Sequence, residues 1–320
     1  MSPNAAPAAG TVAATINATV ATAPTPESAA RGHAQVLADY LELTKPRITL
    51  LVLVTTLVGF ALGTPGGALD LWRLAHVLFG TGLVAAGASA LNQILEREAD
   101  ARMHRTRQRP LPAGRLNPDA ALVFAVDAAT LGVVWLTVAV NRASALVAAL
   151  TLASYALAYT PLKRRTPWST VVGAVPGALP PVIGWVAASG ELGVGAQVLF
   201  AILFLWQLPH FFAIGWLYRD DYARGQFRLL PVIDRDGSLT ARQITASTVL
   251  LILTSFIPAL VGMNGRIYLA GAALLGAAFL GFGIAFARSP REGQARRLFQ
   301  ASLLYLPAIL TLMLLDRTPR

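Results

Sequence analysis

The chain has 320 residues, of which 55% are hydrophobic and 13% are charged, and its mean hydropathy is +0.57. Because a soluble domain needs about a quarter of its residues charged to cover its surface, this composition excludes a soluble enzyme and indicates a polytopic membrane protein. The formal net charge is +10, and the sequence contains no cysteine, which excludes disulfides, thiolate metal sites and cysteine nucleophiles.

The N-terminal segment is dominated by Ala, Thr, Pro and Ser and contains no long apolar run. Such a composition does not bury a core, and it lacks the basic and apolar regions of a secretory signal. We therefore expect residues 1–35 to form a disordered extension and residues 36–320 to form a single transmembrane domain.

Nine apolar stretches follow, each long enough to cross a hydrocarbon core of ~30 Å as a helix of about 20 residues. They are 48–69, 74–95, 120–140, 143–162, 166–190, 192–218, 243–265, 267–287 and 298–315. Because backbone polar groups cannot remain unpaired in lipid and no alternating strand pattern occurs, the fold class is predicted to be all-α. Asp127 is the single charged residue within these stretches. We expect it either to line a cavity or to pair with a neighbouring helix.

The connections between these stretches differ strongly in charge. Alternate connections, starting with the N-terminus, hold 21 basic residues, whereas the other set holds 5. Since cytoplasmic loops carry the positive excess, we predict nine helices around a central cavity, with the N-terminus and the basic loops on the cytoplasmic side of the inner membrane. The long connections 96–119 and 219–242 lie four helices apart, which indicates two four-helix units and a ninth helix. The basic excess therefore reports orientation rather than binding to nucleic acid.

The second stretch ends in oxygen-bearing side chains that are followed by arginines. Asn92, Glu96 and Asp100 are spaced four apart, so they share one face if the helix continues past residue 95. Oxygen ligands suit Mg²⁺ bound partly through substrate phosphates, and guanidinium groups suit phosphate oxygens. The pattern predicts a diphosphate site, and the alternative is a solvated segment that sets topology or contacts anionic lipid. The arginines are Arg102, Arg105, Arg107 and Arg109.

A second polar group closes the sixth stretch. Gln207, His210 and Asp221 share a face if the helix continues through Asp221. His210 lies deep in the membrane, and it is either a satisfied core imidazole, a general base or a ligand to a porphyrin iron. The adjacent Asp220 and Asp221 are either metal ligands or an ordinary acidic helix end.

Two further stretches have features of a binding cavity. The fourth ends with Tyr155 and Tyr159, one turn apart, followed by Lys163 and Arg164. Aromatic faces followed by cations are able to hold a cationic intermediate and then a phosphate, although the same pattern is common at membrane interfaces. The fifth stretch, 166–190, is interrupted by glycines and prolines and is predicted to be kinked or locally unwound beside a cavity.

Four segments together resemble the intramembrane aromatic prenyltransferase superfamily, whose members transfer an isoprenoid from its diphosphate to an acceptor. They are Thr44-Lys45-Pro46-Arg47, Asn92 through Arg115, Tyr159 through Trp168 and Trp206 through Asp221. The resemblance spans about residues 40–315. It is strongest to the branch that farnesylates heme, because the elements Met-x-Arg-Thr-x-x-Arg-Pro-Leu-Pro and Trp-x-x-Pro-His-Phe occur together.

This resemblance implies transfer of a farnesyl group from farnesyl diphosphate to the vinyl group of heme B, with water addition giving heme O. It implies Mg²⁺ as the cofactor, a lipid membrane as the surroundings, and heme A synthase or terminal oxidase assembly factors as partners. It assigns His210 to positioning heme or assisting water addition. The implied metal ligands are Asn92, Glu96, Asp100, Asp220 and Asp221. The implied diphosphate ligands are Lys45, Arg47, Arg102, Arg105, Arg109, Lys163 and Arg164.

Two positions depart from the superfamily pattern. Glu96 stands where the first motif usually has aspartate, and its longer carboxylate should still coordinate Mg²⁺. Leu217 stands where the second motif usually has aspartate, so Asp220 would have to replace it. The alternative functions are prenyl transfer to a quinone precursor, chlorophyllide or another aromatic acceptor, membrane transport, and non-catalytic heme binding during assembly.

Overall fold

The computed structural model describes residues 32–318, and this part of the chain is helical almost throughout. Its helices are α1 (His33–Leu43), α2 (Pro46–Gly63), α3 (Leu71–Arg102), α4 (Pro118–Ala139), α5 (Arg142–Leu162), α6 (Ser169–Ser189), α7 (Val194–Leu217), α8 (Arg219–Arg224), α9 (Leu230–Ile233), α10 (Ser238–Leu260), α11 (Arg266–Arg288) and α12 (Glu292–Leu315). Within the described range, nine of these helices, α2–α7 and α10–α12, are long and apolar enough to cross a membrane. The all-α prediction with nine spans is therefore confirmed.

Helix α1 begins inside the segment that was predicted to be a disordered extension. Residues 33–35 belong to this helix, so this part of the predicted extension is helical. Residues 1–31 of the predicted extension lie outside the described residues. The division into two four-helix units remains a prediction.

Helix α3 continues well past the end of its apolar stretch. It begins at a cap, in which the carboxylate of Asp70 accepts the backbone N–H of Arg73 at 2.9 Å. It ends where Met103 adopts an extended conformation. The predicted continuation beyond residue 95 is confirmed, and α3 carries its polar end out of the apolar span.

Helix α5 contains a π-helical turn at Ser154–Tyr159. Its cause lies in Pro161, which has no N–H and whose ring would clash with the carbonyl four residues earlier in an α-helix. The wider turn avoids this clash, and the N–H of Thr160 bonds to the carbonyl of Tyr155, five residues back. The turn sets the direction in which the last residues of α5 point.

Helix α6 is broken at Leu179, between Ser169–Ala178 and Pro180–Ser189. The predicted kink is confirmed, because Pro180 and its neighbour proline provide no backbone N–H. The second half of α6 lies against α2, where a Cβ on Gly184 would overlap the carbonyl oxygen of Thr56. This half therefore forms a tight contact with α2, and its Val182 also lines a pocket together with Phe200 of α7.

Helix α7 ends at Leu217, which contradicts the prediction of one continuous helix through Asp221. Tyr218, with φ −115° and ψ 24°, lies outside the helical region and separates α7 from α8. Asp221 consequently belongs to a separate short helix. The shared face predicted for Gln207, His210 and Asp221 is wrong for this reason.

Helix α4 places a charged residue on the outer surface of the bundle. Its small residues face α3, where a Cβ on Gly87 would overlap the carbonyl oxygen of Ala125, and one on Gly132 would overlap the carbonyl oxygen of Gly80. Asp127 lies on the opposite side and is exposed. Among residues 32–318 it has neither an ion pair nor a hydrogen bond, so neither role expected for it is observed.

The deeply buried α6 and α7 lie inside the bundle. The end at which α2 begins also contains the C-terminal ends of α3, α5 and α7. The opposite end is closed by the C-terminal segment, where Arg317 donates to the carbonyl oxygen of Ala61 at 2.8 Å and to that of Thr64. The alternation of the helices thus brings the polar ends of α2, α3 and α5 together.

Candidate active site

A polar cluster lies where α2 begins and α3 and α5 end. Its oxygen-bearing members come from α3 and α5, and its cations come from three separate segments. We define the polar cluster as Lys45, Asn92, Glu96, Asp100, Arg109, Thr160 and Lys163.

The three α3 members of the polar cluster are buried. Asn92 and Asp100 are each 1% exposed, and Glu96 is 8% exposed. Burying such groups is costly unless each finds a hydrogen-bonding or charged partner. The three buried side chains therefore need polar or charged partners among the residues that surround them.

Each α3 member contacts a cation from a different part of the chain. Lys45 Nζ donates to Asn92 Oδ1 at 2.6 Å. Lys163 Nζ lies 2.7 Å from Glu96 Oε1. The third contact joins Arg109 to Asp100 Oδ2 at 2.7 Å. The amide of Asn92 also donates to Thr160 Oγ1 at 3.3 Å. Three basic side chains thus surround three neighbouring oxygen acceptors, an arrangement that suits an anionic ligand.

The donor set fits Mg²⁺ when phosphate oxygens complete its coordination. The other carboxylate oxygen of Asp100, Oδ1, is buried and has no hydrogen-bond partner among the described residues. Mg²⁺ is usually held by one or two carboxylates together with substrate phosphates and waters. In the part of the chain from 32 to 318, no three acidic or histidine side chains converge closely enough to hold a metal by themselves. The diphosphate would therefore have to supply part of the coordination shell.

The two lysines of the polar cluster differ in their electrostatic surroundings. Burial lowers the pKa of Lys45 to about 7, and the positive charge of Arg109 acts in the same direction while Glu96 opposes it. Burial would also lower the pKa of Lys163, but the adjacent carboxylate of Glu96 raises it well above its ordinary value. Lys45 contacts a neutral amide and Lys163 a carboxylate, and this difference in partner accounts for the contrast.

The backbone at Lys45 is in a conformation that side-chain-bearing residues rarely adopt. Its φ of 50° and ψ of 64° lie in the left-handed region, and α2 begins immediately afterwards with Pro46. Such conformations are uncommon for residues other than glycine and often occur at functional sites. This turn directs Lys45 towards α3.

Aromatic rings cover the ammonium group of Lys163. Its Nζ lies 4.4 Å from the ring centre of Tyr159 and 5.8 Å from that of Phe227. The ring of Tyr159 is 5.5 Å from the ring of Tyr155. A Cβ on Gly173 would overlap the ring of Tyr159, so the glycine allows α6 to pack against it. The predicted arrangement of phenols beside cations is therefore present in three dimensions.

Asp221 holds the loop that follows α3. Its carboxylate accepts the backbone N–H of His104 at 2.8 Å and that of Arg105 at 3.2 Å, and it pairs with Arg224 at 2.7 Å. Burial tends to raise the pKa of Asp221, but these hydrogen bonds lower it below its usual value. The side chain of Asp220 is 89% exposed and lies 3.9 Å from Arg219. Asp221 is therefore held by the loop after α3, whereas Asp220 faces solvent.

The structure divides the seven predicted diphosphate ligands. Lys45, Arg109 and Lys163 belong to the polar cluster. The other four are exposed, and they are Arg47, Arg102, Arg105 and Arg164. The guanidinium of Arg105 lies 5.1 Å from the ring centre of Tyr218, and Arg164 donates to Gln226 at 3.4 Å. These four therefore do not belong to the polar cluster.

Sequence reasoning missed the role of Thr160. Its hydroxyl accepts from Asn92 and donates to the carbonyl oxygen of Tyr155 at 2.9 Å. The following Pro161 was the available signal, because a proline inside a helix displaces the preceding turn. Thr160 links the π turn of α5 to the oxygen-bearing face of α3.

His210 lies in a closely packed aromatic environment. Its Nδ1 is 2.7 Å from Ser302 Oγ, and its ring stacks on Trp206 with centres 4.9 Å apart. The ring centre of Phe299 is 5.2 Å away. Gln207 instead donates to the carbonyl oxygen of Ala174 at 3.3 Å. His210 therefore faces α12 whereas Gln207 faces α6, and the imidazole has the contacts of a core residue.

Known proteins are similar to this chain in sequence. The sequence profile described as the UbiA prenyltransferase family matches residues 52–306. The protoheme IX farnesyltransferase of Solibacter usitatus is 53% identical over 287 residues, covering 87% of this chain and 98% of the relative. The protein of the same name from Salinibacter ruber is 46% identical over 282 residues, covering 88% and 99%.

Solved structures show the same arrangement of helices. A structure of digeranylgeranylglyceryl phosphate synthase superposes with a TM-score of 0.75 at 18% identity, covering 88% of this chain and 98% of the other. A UbiA homologue from Archaeoglobus fulgidus, bound to GPP and Mg²⁺, superposes with a TM-score of 0.62 at 15% identity, covering 86% and 99%. At these identities the superpositions show a common fold. The profile match and the relatives together establish that this chain belongs to the UbiA prenyltransferase family.

Proposed function

We propose that this protein transfers the farnesyl group of farnesyl diphosphate to the vinyl group of heme B, with water addition, to give heme O and diphosphate. The polar cluster carries the first half of this proposal, because three cations around buried oxygen ligands suit a diphosphate. The relatives support the choice of acceptor, since those at 53% and 46% identity are named protoheme IX farnesyltransferase.

The cations of the polar cluster stabilise the leaving group. As the allylic C–O bond breaks, both of its electrons move to the diphosphate, and Lys45, Arg109 and Lys163 neutralise the negative charge that develops there. Asn92, Glu96 and Asp100 would hold Mg²⁺ together with the phosphates, and the metal would supply further charge neutralisation. The UbiA homologue bound to GPP and Mg²⁺ supports this choice of metal.

The apolar and aromatic surroundings protect the carbon that becomes positively charged. Tyr159 presents its aromatic face to Lys163 and lies beside the ring of Tyr155, and such faces stabilise cations. The vinyl group of heme B donates its π electrons to the allylic carbon, which forms the new C–C bond. Water then captures the resulting cation and loses a proton, which leaves a hydroxyl group. Exclusion of water during the first step prevents simple hydrolysis.

His210 and the two aspartates have separate proposed roles. The Nδ1 of His210 is occupied by Ser302, so Nε2 is the atom with which it would position heme or assist water addition. Asp221 would have to exchange its backbone donors for a cation in order to bind metal. In its present arrangement Asp221 orders the loop beside Asp100, and Asp220 is the more accessible carboxylate.

The setting of the reaction is also proposed. The bundle is proposed to lie in a cell inner membrane, with its polar end on the cytoplasmic side. The distribution of basic residues supports this orientation. Heme A synthase or terminal oxidase assembly factors are proposed to receive the product.

A product assay tests the function. The full chain, purified and reconstituted into liposomes, is given heme B, farnesyl diphosphate and Mg²⁺, and the products are separated by chromatography and weighed by mass spectrometry. We expect heme O. If no farnesylated heme forms in several lipid compositions while a quinone precursor is prenylated, the acceptor is wrong. If no acceptor is prenylated, the enzyme function itself is contradicted.

Replacing one buried carboxylate tests the diphosphate site. Asp100→Asn removes the negative charge that pairs with Arg109, and it replaces one carboxylate oxygen by an amide nitrogen. We expect turnover to fall at least about 100-fold, which is the scale of losing one electrostatic contact in a transition state. Glu292→Gln, in an exposed pair, is the matched control and should retain full turnover. Thermal unfolding of both variants checks that the fold persists. Wild-type turnover by folded Asp100→Asn protein would refute the site.

A further inference from the structure

One residue of α12 is held by two side chains of α7. Ser302 is fully buried, and its Oγ lies 2.7 Å from His210 Nδ1. Its backbone carbonyl oxygen accepts the indole N–H of Trp206 at 2.9 Å. Trp206 and His210 are four residues apart on α7, so they lie one turn apart on the same face of this helix. This face of α7 therefore fixes Ser302 at both its carbonyl and its hydroxyl.

The hydroxyl of Ser302 determines which nitrogen of His210 carries hydrogen. A serine hydroxyl has one hydrogen to donate. Ser302 Oγ donates that hydrogen to the carbonyl oxygen of Phe299 at 2.5 Å, because a carbonyl oxygen can only accept. Towards His210 the same Oγ must therefore be the acceptor, and Nδ1 must carry the hydrogen. In the neutral imidazole, Nε2 then has a free lone pair.

Aromatic packing restrains the orientation of this imidazole. The ring of Trp206 stacks on it with planes 23° apart, and the ring of Phe299 lies at 33° to it with centres 5.2 Å apart. Nε2 makes no hydrogen bond among residues 32–318, and it is not enclosed as the unpartnered indole N–H of Trp185 is. The imidazole is thus held along its Nδ1 edge and beside its faces, and its Nε2 edge is left to accept a ligand.

The contacts of His210 are typical of a histidine that coordinates a metal. Such histidines almost always donate the other ring N–H to an oxygen acceptor, which fixes the tautomer and makes the coordinating nitrogen more basic. In this bundle the chain from Nδ1–H through Ser302 Oγ–H to the carbonyl oxygen of Phe299 has this arrangement. Imidazole is also a common axial ligand of heme iron. The geometry therefore suits iron that enters as part of the acceptor.

We propose that Ser302 is a positioning residue, which keeps hydrogen on Nδ1 of His210 so that Nε2 coordinates the iron of the heme acceptor. The iron coordination rests on the proposed function, since it requires heme B as the substrate. The tautomer does not rest on it, because it follows from the hydrogen bonds of Ser302 alone.

Nitrogen NMR tests the tautomer without any substrate. The full chain is labelled with ¹⁵N-histidine and reconstituted into liposomes, and His210→Gln identifies the His210 signals among those of four histidines. We expect a protonated Nδ1 and a bare Nε2 in the parent and in Ser302→Thr, which keeps the hydroxyl. Ser302→Ala should give a mixture of both tautomers. A bare Nδ1 in the parent, or an unchanged tautomer in Ser302→Ala, would overturn the proposal.

Heme titration tests what the lone pair binds. Heme B is added to each variant without farnesyl diphosphate, and the absorption band of the porphyrin reports coordination of the iron. Ser302→Ala should weaken heme B binding at least about tenfold, the scale of losing the partner of a metal-ligating histidine. Ser302→Thr should bind heme B like the parent. Metal-free protoporphyrin should bind Ser302→Ala and the parent equally.

A second buried serine provides the matched control. Ser247 is buried on α10, and its hydroxyl donates only to carbonyl oxygens of the same helix. Ser247→Ala removes a buried hydroxyl of the same kind but touches no histidine, and it should bind heme B like the parent. An equal loss of heme affinity in Ser247→Ala and Ser302→Ala would contradict a specific role for Ser302.

The remaining outcomes separate this proposal from the proposed function. If the parent forms heme O and His210→Ala binds heme B as tightly as the parent, the iron coordination is wrong and farnesyl transfer to heme stands. If Ser302→Ala loses affinity equally for heme B and metal-free protoporphyrin, the effect does not depend on iron and the coordination is again refuted. A parent that binds no heme B contradicts the proposed function and the iron coordination together.

Discussion

Basic residues that are close in sequence differ in whether they reach the polar cluster, and their chemical type does not reveal the difference. Lys45 and Arg47 are two positions apart and both are basic, yet Lys45 contacts Asn92 at 2.6 Å and Arg47 is exposed. The left-handed turn at Lys45 and the start of α2 at Pro46 produce this divergence. Position relative to a buried acceptor therefore decides which basic residue belongs to the proposed diphosphate site.

The pair provides a matched test at this scale. We expect Lys45→Ala to raise the KM for farnesyl diphosphate at least about tenfold, because a charge-assisted contact is worth about 1.5–3 kcal/mol. Arg47→Ala should change the same KM by less than about threefold, as expected for an exposed charge. Steady-state kinetics in liposomes measure both. Equal effects of the two substitutions would show that the buried contact is not the deciding feature.

Individual helices owe their packing to positions where backbones touch. Gly184 on α6 and Gly59 on α2 leave no space for a Cβ, since each would overlap a carbonyl oxygen of the other helix. Small residues allow this approach between membrane helices. The contact aligns α6, whose Gly173 in turn accommodates the ring of Tyr159. Helix packing remote from the polar cluster thus sets the position of its aromatic cover.

Alanine at Gly184 should destabilise the helix pair. Overpacking of this kind costs about 1–3 kcal/mol, so we expect Gly184→Ala to lower the melting temperature of the detergent-solubilised protein by several degrees. Gly281 on α11 has open space where a Cβ would lie, and Gly281→Ala should leave the melting temperature unchanged or raise it, because alanine favours a helix more than glycine does. A Gly184→Ala protein as stable as its parent would contradict the close contact.

The molecule as a whole is closed at the end remote from the polar cluster. Arg317 donates to carbonyl oxygens at the C-terminal end of α2, and Asp316 accepts the backbone N–H of Tyr268 at 2.7 Å. The last residues of the described chain therefore join α2 and α11. Because this junction is separate from the reacting groups, stability and catalysis should be separable there.

Removing the junction tests that separation. Arg317→Ala should reduce the free energy of unfolding by about 2 kcal/mol, the scale of hydrogen bonds made by a charged group, while kcat below the melting temperature stays near that of the parent. Arg296→Ala removes an exposed pair with Glu292 and should cost at most about 0.5 kcal/mol. Denaturant unfolding measures both effects. Equal losses in the two variants would contradict the role of the junction.

The orientation of the bundle is testable at the same scale. Gly293→Cys places a thiol at the polar end, beside the start of α12, and Ala68→Cys places one at the opposite end, between α2 and α3. With the N-terminus in the cytoplasm, an impermeant maleimide added to intact cells should label Ala68→Cys, and inverted vesicles should expose Gly293→Cys. The reverse pattern would overturn the predicted orientation.

Local regularities of the sequence determined the number of spans and the shared face of Asn92, Glu96 and Asp100, because hydropathy and helical periodicity depend on residues close together in the chain. Only the tertiary structure decided which cations meet that face. Lys45 and Lys163 are separated from their α3 partners by dozens of residues, and their contacts depend on how α2, α3 and α5 pack. The break at Tyr218 and the outward position of Asp127 likewise follow from packing, which no local pattern encodes.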